Sequence, residues 1–165
     1  MVDLPYPSAG ARITLGPGVT GFYRRGDFAP IEVPVEAFVG ALERLPRVGW
    51  TLLSIDRGRE LRSFHRAVVR RGARDAPLQL LLSRVARVLA AAREERDPLD
   101  GPFAFVDVPA EIARDAPRDW SIATPDALRR RLEPGDLEAL RPVEQKQVRY
   151  WGPETIGDVL YNRWD

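Results

Sequence analysis

Two aspartates stand where carboxylate chemistry is often placed. Asp56 follows the uncharged stretch 50–55, and Asp107 lies near the end of the largely apolar stretch 103–108. Ligand sites in open α/β sheets gather at the ends of parallel strands. If these two strands are parallel neighbours, the carboxylates meet at one sheet edge. There they can bind Mg²⁺ or share acid and base work, as in a small hydrolase or transferase. The competing reading is local: Asp56 makes a turn with Gly58, and Asp107 caps the segment after it.

Other chemistries are bounded by what the chain lacks. It has no cysteine, which excludes disulfides, thiolate metal sites and a cysteine nucleophile. His65 is the only histidine, so a two-histidine metal site is excluded. A Ser–His–acid triad would have to use His65. Ser63 is too close in sequence for the usual arrangement, and no G-x-S-x-G occurs. No metal site and no cofactor is expected.

Gly16-Pro17-Gly18-Val19-Thr20-Gly21 spells G-x-G-x-x-G. That motif needs a following helix whose N-terminus receives a pyrophosphate. The residues after Gly21 have no helical period, so a turn-rich connection is expected. Arg25-Gly26-Asp27 is read as a turn centred on Gly26.

Arginine supplies 24 of the 25 basic residues; Lys146 is the only lysine. Together with abundant Ala and Pro, this suggests a GC-rich bacterial genome. The net charge of +1 is unevenly spread. Residues 57–96 hold eleven Arg against four acids, while residues 97–165 hold nine basic residues against fourteen acids. Arg59, Arg62, Arg66 and Arg70 would line one side of a helix, with Arg74, Arg84 and Arg87 extending the patch. Such a stripe can grip phosphates. The alternative is that the basic and acidic segments neutralise each other once folded. The last residues hold two of the four Trp and two of the four Tyr. Trp151 and Trp164 are expected in the core. Tyr161 and Arg163, types enriched in interface hot spots, are candidate binding residues.

The elements that must position these groups follow from periodicity. Residues 1–10 read as an irregular lead-in. Short strands are expected at 12–15 and 22–24. Val35, Phe38, Val39, Leu42 and Leu45 mark an amphipathic helix between Pro34 and Pro46. Residues 50–55 read as a buried strand. Residues 59–71 fit two periods: Leu61, Phe64, Val68 and Arg71 suit a helix, while Leu61, Ser63, His65, Ala67 and Val69 suit a strand returning from a turn at 56–59. The helical reading is taken. Residues 77–95 carry a stripe of Leu78, Leu81, Leu82, Val85, Leu89 and Ala92, which predicts a helix. Strands are expected at 103–108, 120–123 and 147–151. A helix is expected from Thr124-Pro125 to Leu132, and a final one opening at Gly152-Pro153-Glu154.

With 44% hydrophobic and 30% charged residues, the balance is that of a folded domain. The expected fold is α+β, a single compact domain over residues 1–165, with a small mixed sheet and amphipathic helices packed on it. No apolar run approaches the roughly 20 residues of a membrane span, and no signal peptide is recognised, so a cytoplasmic protein is expected. The functional expectation is a non-enzymatic protein-binding module, of bacterial immunity or antitoxin-inhibitor type. The alternatives are a nucleic-acid-binding protein using Arg62, Arg66 and Arg70, and a Mg²⁺-dependent enzyme using Asp56 and Asp107.

Overall fold

The runs Leu80-Leu81-Leu82 and Ala90-Ala91-Ala92 offer no polar side to water. A strand solves this by sending alternate residues to two cores. A computed structural model describes residues 12–56, 63–93 and 102–164, and it shows that arrangement. Leu81, Ala90 and Ala92 enter one core, while Leu80, Leu82 and Ala91 enter the other.

The strands are β1 (Thr51–Asp56), β2 (Phe64–Arg70), β3 (Leu78–Ser83), β4 (Val88–Arg93), β5 (Phe105–Val106) and β6 (Ser121–Ile122). The first five form an antiparallel series in chain order. Beyond β3, the far edge of β4 is shared: β6 pairs parallel with Val88 and Leu89, and β5 pairs with Ala91 and Ala92. Helices α1 (Val35–Leu42) and α2 (Ala110–Asp115), with a 3₁₀ turn at Leu45–Val48, supply residues to the core that holds Leu80 and Leu82. Helices α3 (Pro125–Arg129), α4 (Pro142–Trp151) and α5 (Ile156–Leu160), with the loop from Ile13 to Phe22, supply the other. The fold is therefore α+β with a mixed sheet, as composition and pattern implied. Among the described residues, no helix is long and apolar enough to cross a membrane.

Several elements differ from the sequence expectation. The described part of 77–95 is a hairpin of β3 and β4, not a helix; residues 94 and 95 lie outside the described residues. The hairpin turn carries Arg87 at φ 55, a left-handed conformation in a non-glycine residue. The described part of 59–71 is strand β2, not a helix; residues 57–62 lie outside the described residues. Strand β1 is largely exposed at the sheet edge rather than buried. Residues 147–151 are the last turns of α4 rather than a strand, since Pro142 opens that helix and Gly152 closes it at φ 61. No strand forms at 12–15 or 22–24. Helix α3 begins at Thr124-Pro125 as expected but ends at Arg129. The last helix starts beyond Glu154, with Thr155 as its cap: the Thr155 hydroxyl accepts from the Asp158 N–H, and Asp158 accepts from Thr155 N–H in return. The lead-in at 1–10 lies outside the described residues.

One polar contact joins the sequence-distant parts. Glu144, on the first turn of α4, is fully buried. Its carboxylate accepts hydrogen bonds from Gly18 N (2.8 Å), Thr20 N (3.1 Å), Thr20 Oγ1 (2.7 Å) and Arg141 N (3.0 Å). A buried carboxylate survives only with such a donor set. Glu144→Gln keeps the shape but turns an NH₂ group toward N–H donors. It should lower unfolding stability by about 2–4 kcal/mol, measured by urea denaturation, with the Gly18 and Thr20 amides losing protection against hydrogen exchange. A variant as stable as the parent would show that the carboxylate contributes little.

Candidate functional site

The sheet order decides the fate of the two aspartates. Asp56 ends β1 and faces Arg66 across the strand pair, whereas Asp107 follows β5 and is exposed. Strands β2, β3 and β4 lie between β1 and β5, so the carboxylates stand on opposite sides of the sheet. The expected paired-carboxylate site does not form: β1 and β5 run in the same direction but are not neighbours, with three strands between them. Among the described residues, no group of three or more His, Asp or Glu is arranged to hold a metal ion.

The arginine stripe is also rearranged. Arg62 lies outside the described residues, as do Arg57 and Arg59. Arg66 and Arg70 are half-buried on one face of β2 and, in a strand, sit about 13 Å apart rather than one helical turn apart. Arg74 belongs to the turn before β3, while Arg84 and Arg87 lie in the turn after it. Arg84 pairs with Glu32 at 3.9 Å, and Arg87 bonds to Asp119. Among the described residues, these arginines do not line one element as a continuous stripe.

Three other candidates have structural roles. His65 is buried and stacked on Phe38 at 5.6 Å, with Nε2 donating to Val33 O at 2.7 Å. Burial holds its pKa below the ordinary 6.5, against the opposing pull of that hydrogen bond. The glycine motif forms a turn whose N–H groups at Gly18 and Thr20 bind the chain's own Glu144, in place of any phosphate. Gly18 is at φ +89, and a Cβ there would sit 2.6 Å from Pro30 Cβ. Arg25-Gly26-Asp27 is an exposed turn closed by Asp27 N to Arg24 O (3.0 Å) and by Arg24 N to Asp27 Oδ2 (2.8 Å).

The C-terminal segment divides. Tyr161 is buried, with its hydroxyl donating to Val88 O at 2.9 Å, and burial raises its pKa. It anchors the core and has no surface to offer a partner. Arg163 lies over the Phe103 ring at 4.3 Å from its centroid. Trp164 is buried as expected, but Trp151 is not: it stands largely exposed, parallel to Trp164 at 6.5 Å between centroids.

Sequence reasoning missed the surface that results. The segment from Phe22 to Phe28 runs beside α4. Phe22 touches Trp164 (6.2 Å), which touches Trp151 at the end of α4. At the other end, Arg24 and Phe28 border a hollow with Arg141, Pro142 and Val143. Tyr23 and Phe28 are exposed on this segment and Tyr150 and Trp151 at the end of α4, where those two rings meet edge-on at 5.2 Å. Around them, Arg24, Arg25, Lys146 and Arg149 are exposed as well. On α4 the signal was Pro142, Lys146, Arg149 and Tyr150 at helical spacing, hidden by reading its end as a strand.

The lowered pKa of His65 fixes a pH dependence. The unfolded chain binds a proton near pH 6.5, while the folded one resists until lower pH. Stability should be full above about pH 6.5 and decline as pH falls through the folded value. His65→Gln should flatten that decline in melting temperature. A wild-type His65 proton resonance titrating at or above 6.5 would remove its basis.

No family model, no curated protein and no solved structure matches this chain.

Proposed function

We propose that the chain is a non-enzymatic protein-binding module, of the bacterial immunity or antitoxin-inhibitor kind, that docks its partner on the face formed by residues 22–28 and α4. The observation that carries this reading is exposure of large rings: Phe28 is 92% exposed, Tyr150 78%, Tyr23 50% and Trp151 42%. An aromatic ring buries roughly 150–250 Å² when covered, and clustered rings are the usual anchors of an interface. Contiguous exposed apolar surface on a free chain marks a contact site.

The charges around the rings select the partner. Arg24, Arg25, Lys146 and Arg149 are exposed on the same two segments, against the one exposed carboxylate of Asp27 on residues 22–28. A protein surface with apolar pockets rimmed by carboxylates fits this pattern. The nucleic-acid reading is less favoured, since among the described residues Arg66 and Arg70 stand on strand β2 rather than along one helix face. The metal-assisted reading loses its own, since Asp56 and Asp107 lie apart.

Affinity capture from the source cell's lysate, with nuclease, tests the proposal. A stoichiometric protein companion should be retained. Once that companion is purified, Phe28→Ser with Tyr150→Ser should weaken binding at least tenfold, about 1.4 kcal/mol or more. Leu53→Ser, exposed on β1 away from this face, should leave it unchanged. A companion that ignores the double substitution, or recovery of nucleic acid alone before nuclease, would overturn the proposal.

A further inference from the structure

An open cleft of about 600 Å³ lies between the segment before β5, the end of α3 and α5. Its apolar floor is set by Phe103 and Phe105, whose ring centroids are 5.8 Å apart. Gly157 lets α5 close onto that floor: a Cβ there would sit 2.6 Å from Phe105 Cε2.

Most polar groups of the cleft are held by bonds to backbone atoms and keep capacity to spare. Arg129 is anchored by Nη2 donating to Phe105 O at 2.6 Å, leaving further guanidinium N–H groups. Asp158 uses Oδ2 to accept from Glu154 N and Thr155 N, leaving Oδ1. Glu154 is exposed at the rim. Asn162 is buried, with Nδ2 donating to Thr20 O (3.1 Å) and Val159 O (2.9 Å). Its Oδ1 is buried with no partner among the described residues. A buried acceptor without a donor is costly and asks for one.

We propose that this cleft binds a free amino acid with an apolar side chain. Arg129 would take the carboxylate, a pairing its fork geometry suits. The acceptors Asp158 Oδ1 and Glu154 would take the ammonium, with Asn162 Oδ1 buried behind them. Phe103, whose ring Arg163 overlies at 4.3 Å, and the edge of the nearly buried Phe105 would border the side chain. A cleft with a few converging polar groups over apolar walls is the usual form of a small-molecule site. The cleft adjoins the docking face at Trp164, which lines it and stacks on Trp151, but the groups assigned to the ligand lie outside that face.

Calorimetric titration of the full chain with L-phenylalanine and L-leucine tests the assignment. Saturable one-to-one binding with Kd below about 1 mM is expected. N-acetyl-L-phenylalanine lacks the ammonium and L-phenylalaninamide lacks the carboxylate; each should bind at least tenfold more weakly. Arg129→Gln should weaken L-phenylalanine at least tenfold, and Glu154→Gln, at an exposed position, by a smaller factor. If Arg129→Gln does not fold, Arg129→Lys, which keeps the charge and loses the fork, should show the same direction. No saturable binding of either amino acid, equal binding of the blocked analogues, or parental affinity in both the Arg129 and Glu154 variants would overturn the assignment.

Discussion

The burial of the Glu144 carboxylate constrains much of the rest. A carboxylate taken wholly out of water must be given donors, and α4 alone supplies one, from Arg141 N. The others come from Gly18 and Thr20, more than 120 residues earlier. Thr20 then offers its carbonyl to Asn162 Nδ2. One threonine thus joins the early loop, α4 and the C-terminal segment. The loop leaves this junction at Gly21 and passes at once to Phe22 and Trp164. The exposed rings at 23 and 28 therefore sit beside α4 because the chain is fixed just before them. Much the same contact orients Asn162 in the neighbouring cleft. Docking face and cleft both descend from one buried charge.

The second constraint is a sheet with both faces covered. Leu80 to Leu82 alternate between the two cores, as do Val88 to Ala92, so neither β3 nor β4 can present a functional side chain to solvent from its middle. Function must then sit on what covers the sheet. The α1 and α2 layer is tied by contacts internal to it and the sheet, such as Trp50 Nε1 to Glu111 (3.0 Å) and Arg44 to Asp115 (3.2 Å). The opposite layer, made of short helices and loops, leaves both the aromatic face and the cleft.

These features explain what was legible in the sequence. Interspersed apolar segments with Pro and Gly breaks were enough for an α+β fold. Thr124-Pro125 was readable because a cap is a local signal: Thr124 Oγ1 accepts from Ala127 N at 3.2 Å. Residues 77–95 were misread because strands apolar on both faces also satisfy a helical period. The turn between them contains no Gly, Pro, Asn or Asp; it is Arg-Val-Ala-Arg, with Arg87 forced to positive φ. Nothing local announces such a turn. At α4 the local signals were present, Pro142 and Gly152, and a short run of β-formers obscured them. Asp56 and Asp107 could not be placed at all, since strand order is a property of the whole chain. The buried role of Tyr161 likewise depends on a carbonyl 73 residues away.

Charge makes the same distinction between sequence and surface. The Arg-rich middle looks like the basic site, and the acidic end looks like its opposite. In the fold they meet: Arg71 pairs with Glu111 (3.5 Å) and Arg87 with Asp119, each joining the middle segment to the last. Pairs this exposed add little stability. Their effect is to cancel potential where they lie, and a cancelled field steers no partner. The cations that border the aromatic face come instead from residues 24, 25, 146 and 149, in stretches whose sequence shows no basic run of that kind. Recognition by this molecule is therefore better argued from which charges the fold leaves beside exposed rings than from where the chain concentrates arginine.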